Sequence, residues 1–252
     1  MSADEFFIGW APKPPPGIAR FVRGRTVLIL LAAPALAFGI AGLQGTIGIA
    51  RVSGEIREWR GVLVREPVPV LVADAADEAG GSRVYYLVNP LKFGFDDAVA
   101  QEFHLRHVTL RGTLVHRDDG QAMIEAVPGS VAASGGSASG DPLGVSEDLG
   151  EMTLRGEIVD SKCYLGAMNP GVLKPHRACA MLCIRGGIPP ILLVRGKSGE
   201  ANYFLLVDEN GRAVNREILD WIALPVEIEG RVERAGELLV LKASPSSYRL
   251  LE

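Results

Sequence analysis

The sequence YYLV at residues 85–88 recurs as YFLL at residues 203–206, an offset of 118 residues. The same offset pairs Gly112 with Gly230, so the likeness extends beyond the apolar stretch itself. Short runs rich in aromatic and branched residues, bounded by polar and glycine-containing segments, predict β-strands. The recurrence therefore predicts that one β-rich unit occurs twice in this chain.

Each predicted unit continues in the same order after this strand. A short helical stretch comes first, at residues 95–107 and 215–223. A hairpin of alternating apolar residues around a glycine-containing turn follows, at residues 108–126 and 226–243.

The N-terminal parts of the two units also resemble each other in sequence, but at a shorter offset. GEI at residues 54–56 recurs at residues 156–158, an offset of 102 residues, so the second unit holds 16 more residues between its first and third strands. The extra residues fall in the segment that contains all three cysteines of the chain. Duplication followed by insertion is the simplest explanation.

The order of elements predicts the architecture. Three strands, a helix and two strands in about 85–100 residues are the order of a five-stranded OB-fold barrel. We therefore predict an all-β fold with short helices, built of two tandem OB-like five-stranded barrels. A pair of small β-sandwiches is the alternative, which the helix between strands three and four disfavours.

An uncharged stretch precedes the two units. Residues 26–50 hold no charged side chain, and as a helix they would span about 37 Å, enough to cross the hydrocarbon core of a bilayer. Arg20, Arg23 and Arg25 come just before this stretch, and only Arg51 follows it closely. The positive-inside rule then predicts one span of a bacterial inner membrane, with the N-terminus in the cytoplasm and the C-terminal domains in the periplasm.

A cleaved signal peptide is the alternative to this anchor, because Ala35-Leu36-Ala37 resembles a small-residue cleavage site. A retained anchor is favoured, since both the leader and the apolar run are long for a signal peptide. The predicted segments are a cytoplasmic N-terminal segment (1–25), a transmembrane helix (26–50), OB-like domain 1 (51–127), a flexible Gly/Ser-rich linker (128–150) and OB-like domain 2 with a Cys/His insertion (151–252).

The net charge of the part after residue 50 disfavours one class of partner. It carries 22 basic and 28 acidic side chains, and therefore offers no broad basic surface to neutralise phosphates. Nucleic-acid binding is disfavoured.

The insertion in the second unit contains the candidate site. Cys163, His176, Cys179 and Cys183 follow the spacing C-x12-H-x2-C-x3-C. Three thiols and one imidazole are the ligand types of a tetrahedral zinc site, although their spacing matches no common zinc finger. On one straight helix, residues 176 and 183 would lie about 10 Å apart, so a four-ligand site requires the helix to break.

Three interpretations of these residues stay open. In the first, Cys163 forms a disulfide with Cys179 or Cys183 and leaves one thiol free. In the second, the four residues hold zinc or copper, with Met168 or Met181 as a further soft ligand. In the third, a thiol of low pKa near His176 and Arg177 carries out redox chemistry.

Catalysis has little other support in the sequence. No Ser-His-Asp set, pair of catalytic carboxylates or nucleotide-binding fingerprint is found, and no C-x-x-C pair is present. Asp160 and Lys162, just before Cys163, are candidates to tune its thiol, but a solvated surface pair is the favoured interpretation.

The insertion resembles a bacterial family of small OB-like proteins. The likeness rests on DSKCYLG at residues 160–166, MNPG at 168–171, His176, Cys179-Ala180, Cys183-Ile184 and GGIPP at 186–190. Members of that family are exported or membrane-tethered, and their genes often accompany membrane redox enzymes. The resemblance implies context for this chain but no catalytic residues.

Three functions compete on these grounds. The first is a membrane-anchored, extracytoplasmic accessory subunit of a bacterial membrane redox complex, which docks a protein partner of that complex. The second is a module that binds zinc or copper through the Cys/His segment. The third is a thiol oxidoreductase.

Overall fold

A computed structural model of the 252-residue chain describes residues 13–45, 50–74, 83–117, 121–168, 171–196 and 200–251. The chain divides into two compact units, Met1–Ile49 and Ala50–Glu252.

The first unit contains one long helix, α1 (Pro16–Gly45). Its segment Pro16–Gly42 has a mean hydropathy of 1.8, and none of the segment is buried. The helix is therefore long and apolar enough to cross a membrane, and by these criteria a retained anchor and a signal sequence are alike. It begins ten residues earlier than the predicted span, because Pro16 suits a first helical position, and it ends at Gly45.

The second unit opens with a closed five-stranded barrel, barrel 1. Its strands are β1 (Ala50–Val64), β2 (Val70–Ala73), β3 (Val84–Val88), β4 (Arg106–Arg117) and β5 (Ala122–Ala126). The order around the barrel is β1-β2-β3-β5-β4, and β4 pairs back onto β1. Only the β3–β5 pairing among these five is parallel. The interior holds apolar side chains of alternating strand residues, such as Leu63, Leu71, Tyr85 and Leu114.

A sixth strand lies within the predicted flexible linker. Strand β6 (Ala132–Ser137) is exposed along its whole length and pairs antiparallel with β4. The next strand, β7 (Glu147–Asp160), begins before the predicted end of the linker. Pairing through the backbone needs no large side chain, so a Gly/Ser-rich composition does not prevent a strand from forming at this edge.

A second closed barrel, barrel 2, follows with the same connectivity. After β7 come β8 (Pro190–Arg195), β9 (Ala201–Val207), β10 (Pro225–Ala235), β11 (Leu238–Lys242) and a short β12 (Arg249–Leu250) that pairs with β10. The order is β7-β8-β9-β11-β10, β10 pairs back onto β7, and β9–β11 is parallel. Two OB-like five-stranded barrels are thus confirmed, and the sandwich alternative is wrong.

The helices between strands three and four are shorter than predicted. In barrel 1, α2 (Asp97–Glu102) begins after Asp96, whose side chain accepts hydrogen bonds from the backbone N–H groups of Ala98 and Val99. In barrel 2, only a single 3₁₀ turn forms, at Leu219–Trp221. The predicted stretches were too long because the residues around each helix form turns and, in barrel 1, the start of β4.

The two barrels share a continuous core. One buried cluster joins Tyr86 and Met123 of barrel 1 to Tyr164, Leu193 and Leu205 of barrel 2. The longest helix of this unit, α3 (Leu173–Arg185), lies between β7 and β8 within the Cys/His insertion. The insertion therefore lies where the barrels meet.

A close backbone approach fixes this junction. Gly94 of barrel 1 donates its backbone N–H to the carbonyl oxygen of Gly186, at 2.9 Å. A Cβ at Gly186 would collide with the backbone carbonyl oxygen of Lys92. Gly186 has an ordinary φ of −78°, so the glycine is required for space and not for its backbone angles.

Gly186→Ala is therefore expected to force the two barrels apart locally and to lower the free energy of unfolding by about 1–3 kcal/mol. Chemical denaturation of the full-length chain in detergent measures this change. The matched control is Gly136→Ala, because nothing lies within 4 Å of a Cβ at that position. Equal stability of the two variants would contradict the proposed tight contact.

Candidate metal centre

Three cysteine thiols converge at the junction of the two barrels. Cys163 begins a π-helical turn, Cys163–Ala167, shortly after the end of β7, whereas Cys179 and Cys183 lie one turn apart on α3. The Sγ atom of Cys163 is 3.9 Å from that of Cys179 and 3.8 Å from that of Cys183. All three sulfurs lie within 4.8 Å of one another.

The buried pair Asp160 and His176 links the turn that carries Cys163 to α3, which carries Cys179 and Cys183. Asp160 is the last residue of β7, and its Oδ1 accepts a hydrogen bond from the backbone N–H of Cys163 at 2.8 Å. Its Oδ2 lies 3.0 Å from Nε2 of His176, in the first turns of α3. One carboxylate therefore orders the turn that carries Cys163 and also ties α3 to the end of β7.

The predicted four-ligand set is thus distributed over two overlapping groups. Cys163, Cys179 and Cys183 form one group, and Asp160, Cys163 and His176 form the other. The helix does not break between residues 176 and 183, so the imidazole turns toward Asp160 while the thiols face the junction.

Barrel 1 supplies a cation to the thiols of barrel 2. Nζ of Lys92 lies 2.7 Å from Sγ of Cys179 and 3.6 Å from Sγ of Cys183. Lys92 lies in the turn after β3, next to Leu91, whose φ is +63°. The sequence did not reveal this contact, and its only local signal is a turn in which a lysine stands between two apolar residues.

A second lysine, Lys162, links the two barrels next to Cys163. Lys162 is only 3% exposed, and its Nζ donates hydrogen bonds to the carbonyl oxygens of Asn89 and Leu91 at 2.9 and 2.8 Å. It also pairs with the carboxylate of Glu125 on β5. The interpretation of Asp160 and Lys162 as a solvated surface pair is wrong, because both side chains are buried in the junction.

These contacts shift the pKa values of Cys163 and Cys183 in opposite directions. A hydrogen bond from Cys163, together with the charge of Lys92, lowers the pKa of Cys183 to about 7 against the opposing effect of burial. The pKa of Cys163 is raised, first because its thiol donates that hydrogen bond and then because of burial and the charge of Asp160. The hydrogen bond to Cys179 raises the pKa of Lys92. The cluster therefore favours a thiolate beside an ammonium group.

A pocket of about 510 Å³ opens in front of the sulfurs. Its lining is mostly apolar, and Leu91, Phe93 and Met168 of this lining are exposed to solvent. Met168 is therefore near the thiols, whereas Met181 packs against the core of barrel 2. Arg177 donates to the carbonyl oxygen of Asp220, so the cation that reaches the thiols is Lys92 and not Arg177.

The spacing of the sulfurs fits a single ion. Metal–sulfur bonds of about 2.3 Å place neighbouring sulfurs about 3.8 Å apart in a tetrahedral site and about 4.0 Å apart in a trigonal one. The two measured separations of 3.8 and 3.9 Å agree with both geometries. The same separations exceed the S–S bond length of about 2.05 Å, and all three cysteines are free thiols, so the predicted disulfide is not formed here.

Comparison with known proteins gives no match to this chain, whether with protein-family models, curated proteins or solved structures.

Proposed function

We propose that this protein is a membrane-anchored metal-binding protein, in which the thiolates of Cys163, Cys179 and Cys183 hold one copper(I) or zinc ion. The observation that supports this most directly is the convergence of three sulfurs within 4.8 Å of one another, with the sulfur of Cys163 at 3.8 and 3.9 Å from the other two. Sulfur ligands favour soft ions, so magnesium, calcium and manganese are poor candidates.

Copper(I) and zinc differ in the number of ligands that they require at this site. Copper(I) is satisfied by soft thiolate and thioether ligands, so three thiolates, with Met168 nearby, are a sufficient set. Zinc prefers four ligands, so a zinc ion on the three thiolates would keep one position open toward the pocket. Lys92 would offset the negative charge of either complex.

Metal analysis of the full-length chain, purified in detergent, tests this function. We expect one equivalent of copper(I) or zinc per chain after loading and removal of excess ion, and competition between the two ions identifies the preferred one. Binding of less than half an equivalent of both ions, with three reactive thiols remaining, would contradict the proposal.

Lys92→Met is expected to weaken metal binding about 10-fold, because outer contacts to ligand atoms usually change affinity by about 10–100-fold. Lys92→Arg should retain most of the affinity, since a cation remains. Lys174→Met is the matched control, because this lysine is exposed on α3, the helix that carries Cys179 and Cys183. The measurement is competition with a chelator of known affinity, and equal affinities of the two methionine variants would exclude a role for Lys92.

We also propose that the protein is an extracytoplasmic accessory subunit of a bacterial membrane redox complex. The resemblance of the insertion supports this context, and α1 is long and apolar enough to anchor the chain in a membrane. The arginine residues that precede the apolar stretch favour the inner membrane with the barrels in the periplasm. The exposed side chains of Leu91 and Phe93, at the edge of the pocket, offer an apolar contact for a protein partner.

Co-purification from membranes solubilised in mild detergent tests the subunit proposal. We expect the full-length chain to emerge with a membrane redox enzyme, and Leu91→Ser with Phe93→Ser to release it. Val145→Ser is the control, since Val145 is 97% exposed and does not line the pocket. A full-length chain that emerges alone would contradict the proposal, whatever its metal content.

A further inference from the structure

The three thiols of the cluster differ in their access to solvent. Cys163 and Cys183 are 5% and 1% exposed, whereas Cys179 is only partly buried. All three line the apolar pocket, so a molecule that enters it meets Cys179 as the most accessible sulfur. An accessible thiol beside buried thiols is the arrangement in which one sulfur attacks a substrate and another completes the reaction.

Cys163 is placed to complete such a reaction. Its sulfur lies 3.9 Å from that of Cys179, on a different segment of the chain. A bond of about 2.05 Å between them requires these atoms to approach by less than about 2 Å. Cys179 and Cys183 lie four residues apart on one helix, where Cβ atoms are about 5–6 Å apart. A disulfide needs Cβ atoms about 3.5–4.5 Å apart, so Cys163, on a separate π-helical turn, is the better partner for Cys179.

We propose that the metal-free chain reduces small disulfides, with Cys179 as the attacking thiol and Cys163 as the resolving thiol. The sulfur of Cys179 attacks one sulfur of the substrate, so a mixed disulfide forms and the first substrate thiol leaves with the proton that Cys179 gave up. The sulfur of Cys163 then attacks Cys179 in the mixed disulfide, and the second substrate thiol leaves with the proton of Cys163. Two protein thiols are oxidised to one disulfide, and one substrate disulfide is reduced to two thiols.

The pocket indicates the class of disulfide. Leu91 and Phe93 present apolar surface at its edge, and the ammonium group of Lys92 lies 2.7 Å from the attacking sulfur. A disulfide with an apolar body and an anionic group therefore matches both features. An aromatic disulfide that carries carboxylates, 5,5′-dithiobis(2-nitrobenzoate), has this chemistry and releases a coloured thiolate.

The test uses the reduced, full-length chain in detergent, freed of metal by a chelator and mixed with one equivalent of this aromatic disulfide. We expect the wild-type chain to release both aryl thiolates and to contain a Cys163–Cys179 disulfide by peptide mapping. Cys163→Ser should release one aryl thiolate and keep the other on Cys179. Met181→Leu, whose side chain packs against barrel 2 and does not line the pocket, should behave as wild type. Cys179→Ser should react at least about 10-fold more slowly.

Other results would overturn the assignment. These are a stable aryl adduct on the wild-type chain, release of both thiolates by Cys163→Ser, or an unchanged rate for Cys179→Ser. Peptide mapping of the wild-type chain decides the case if a variant fails to fold, because the bonded pair is read directly. Metal binding is measured separately, so its loss and the loss of this reaction are distinguishable.

Discussion

Cys163→Ser is expected to weaken the binding of copper(I) or zinc by about 100-fold or more, because each ligand of a thiolate site contributes several kcal/mol. Cys163 is the only one of the three thiols that does not come from α3, and its sulfur is close to both others. Without it, only two sulfurs one helical turn apart remain. Competition with a chelator of known affinity, on the full-length chain, measures the loss.

The control for this variant is Met181→Leu. Met181 lies on α3 between the two helical cysteines, but its side chain packs against the core of barrel 2 and not the pocket. The exchange keeps a similar volume, so the affinity should stay within about twofold of wild type. If Cys163→Ser bound metal as tightly as Met181→Leu, the three-thiolate site would be wrong.

Asp160→Ala is expected to lower the free energy of unfolding by about 3 kcal/mol, because it leaves two buried donors without an acceptor. These donors are the backbone N–H of Cys163 and the ring N–H of His176. The same change releases the turn that carries Cys163 from α3, so metal affinity should fall with stability. Chemical denaturation of the metal-free chain separates the stability effect from the effect on binding.

Asp160→Asn is the informative comparison for this site. An asparagine has nearly the same shape, accepts from the N–H of Cys163 and donates to a His176 ring whose proton has moved to Nδ1. We expect it to recover more than half of the stability that alanine loses. Equal losses for the two variants would show that the two hydrogen bonds are not what Asp160 contributes.

The barrels were predictable because their signals are local. Alternating apolar residues and glycine-containing turns predict the hairpins β4–β5 and β10–β11. The helices were overestimated because residues 103–105, after α2, form a turn that the apolar pattern does not reveal. Strand β6 was missed because the strand that it pairs with, β4, is more than twenty residues earlier in the chain.

The site was only partly predictable, because its contacts join residues that are far apart in the sequence. The three cysteines were identifiable from their residue type, but Lys92 is 87 residues from Cys179 and belongs to the other barrel. Lys162 looked like a surface residue, although its partners Asn89 and Leu91 lie more than 70 residues away. Packing of one barrel on the other determines both contacts, and no short stretch of sequence contains that information.

X-ray absorption at the metal edge of the loaded full-length chain identifies the ligand atoms around the bound ion and so tests the three-thiolate site. We expect three sulfur neighbours at about 2.3 Å from one ion, with at most one additional ligand. A first shell of nitrogen and oxygen, or of two sulfurs only, would contradict it.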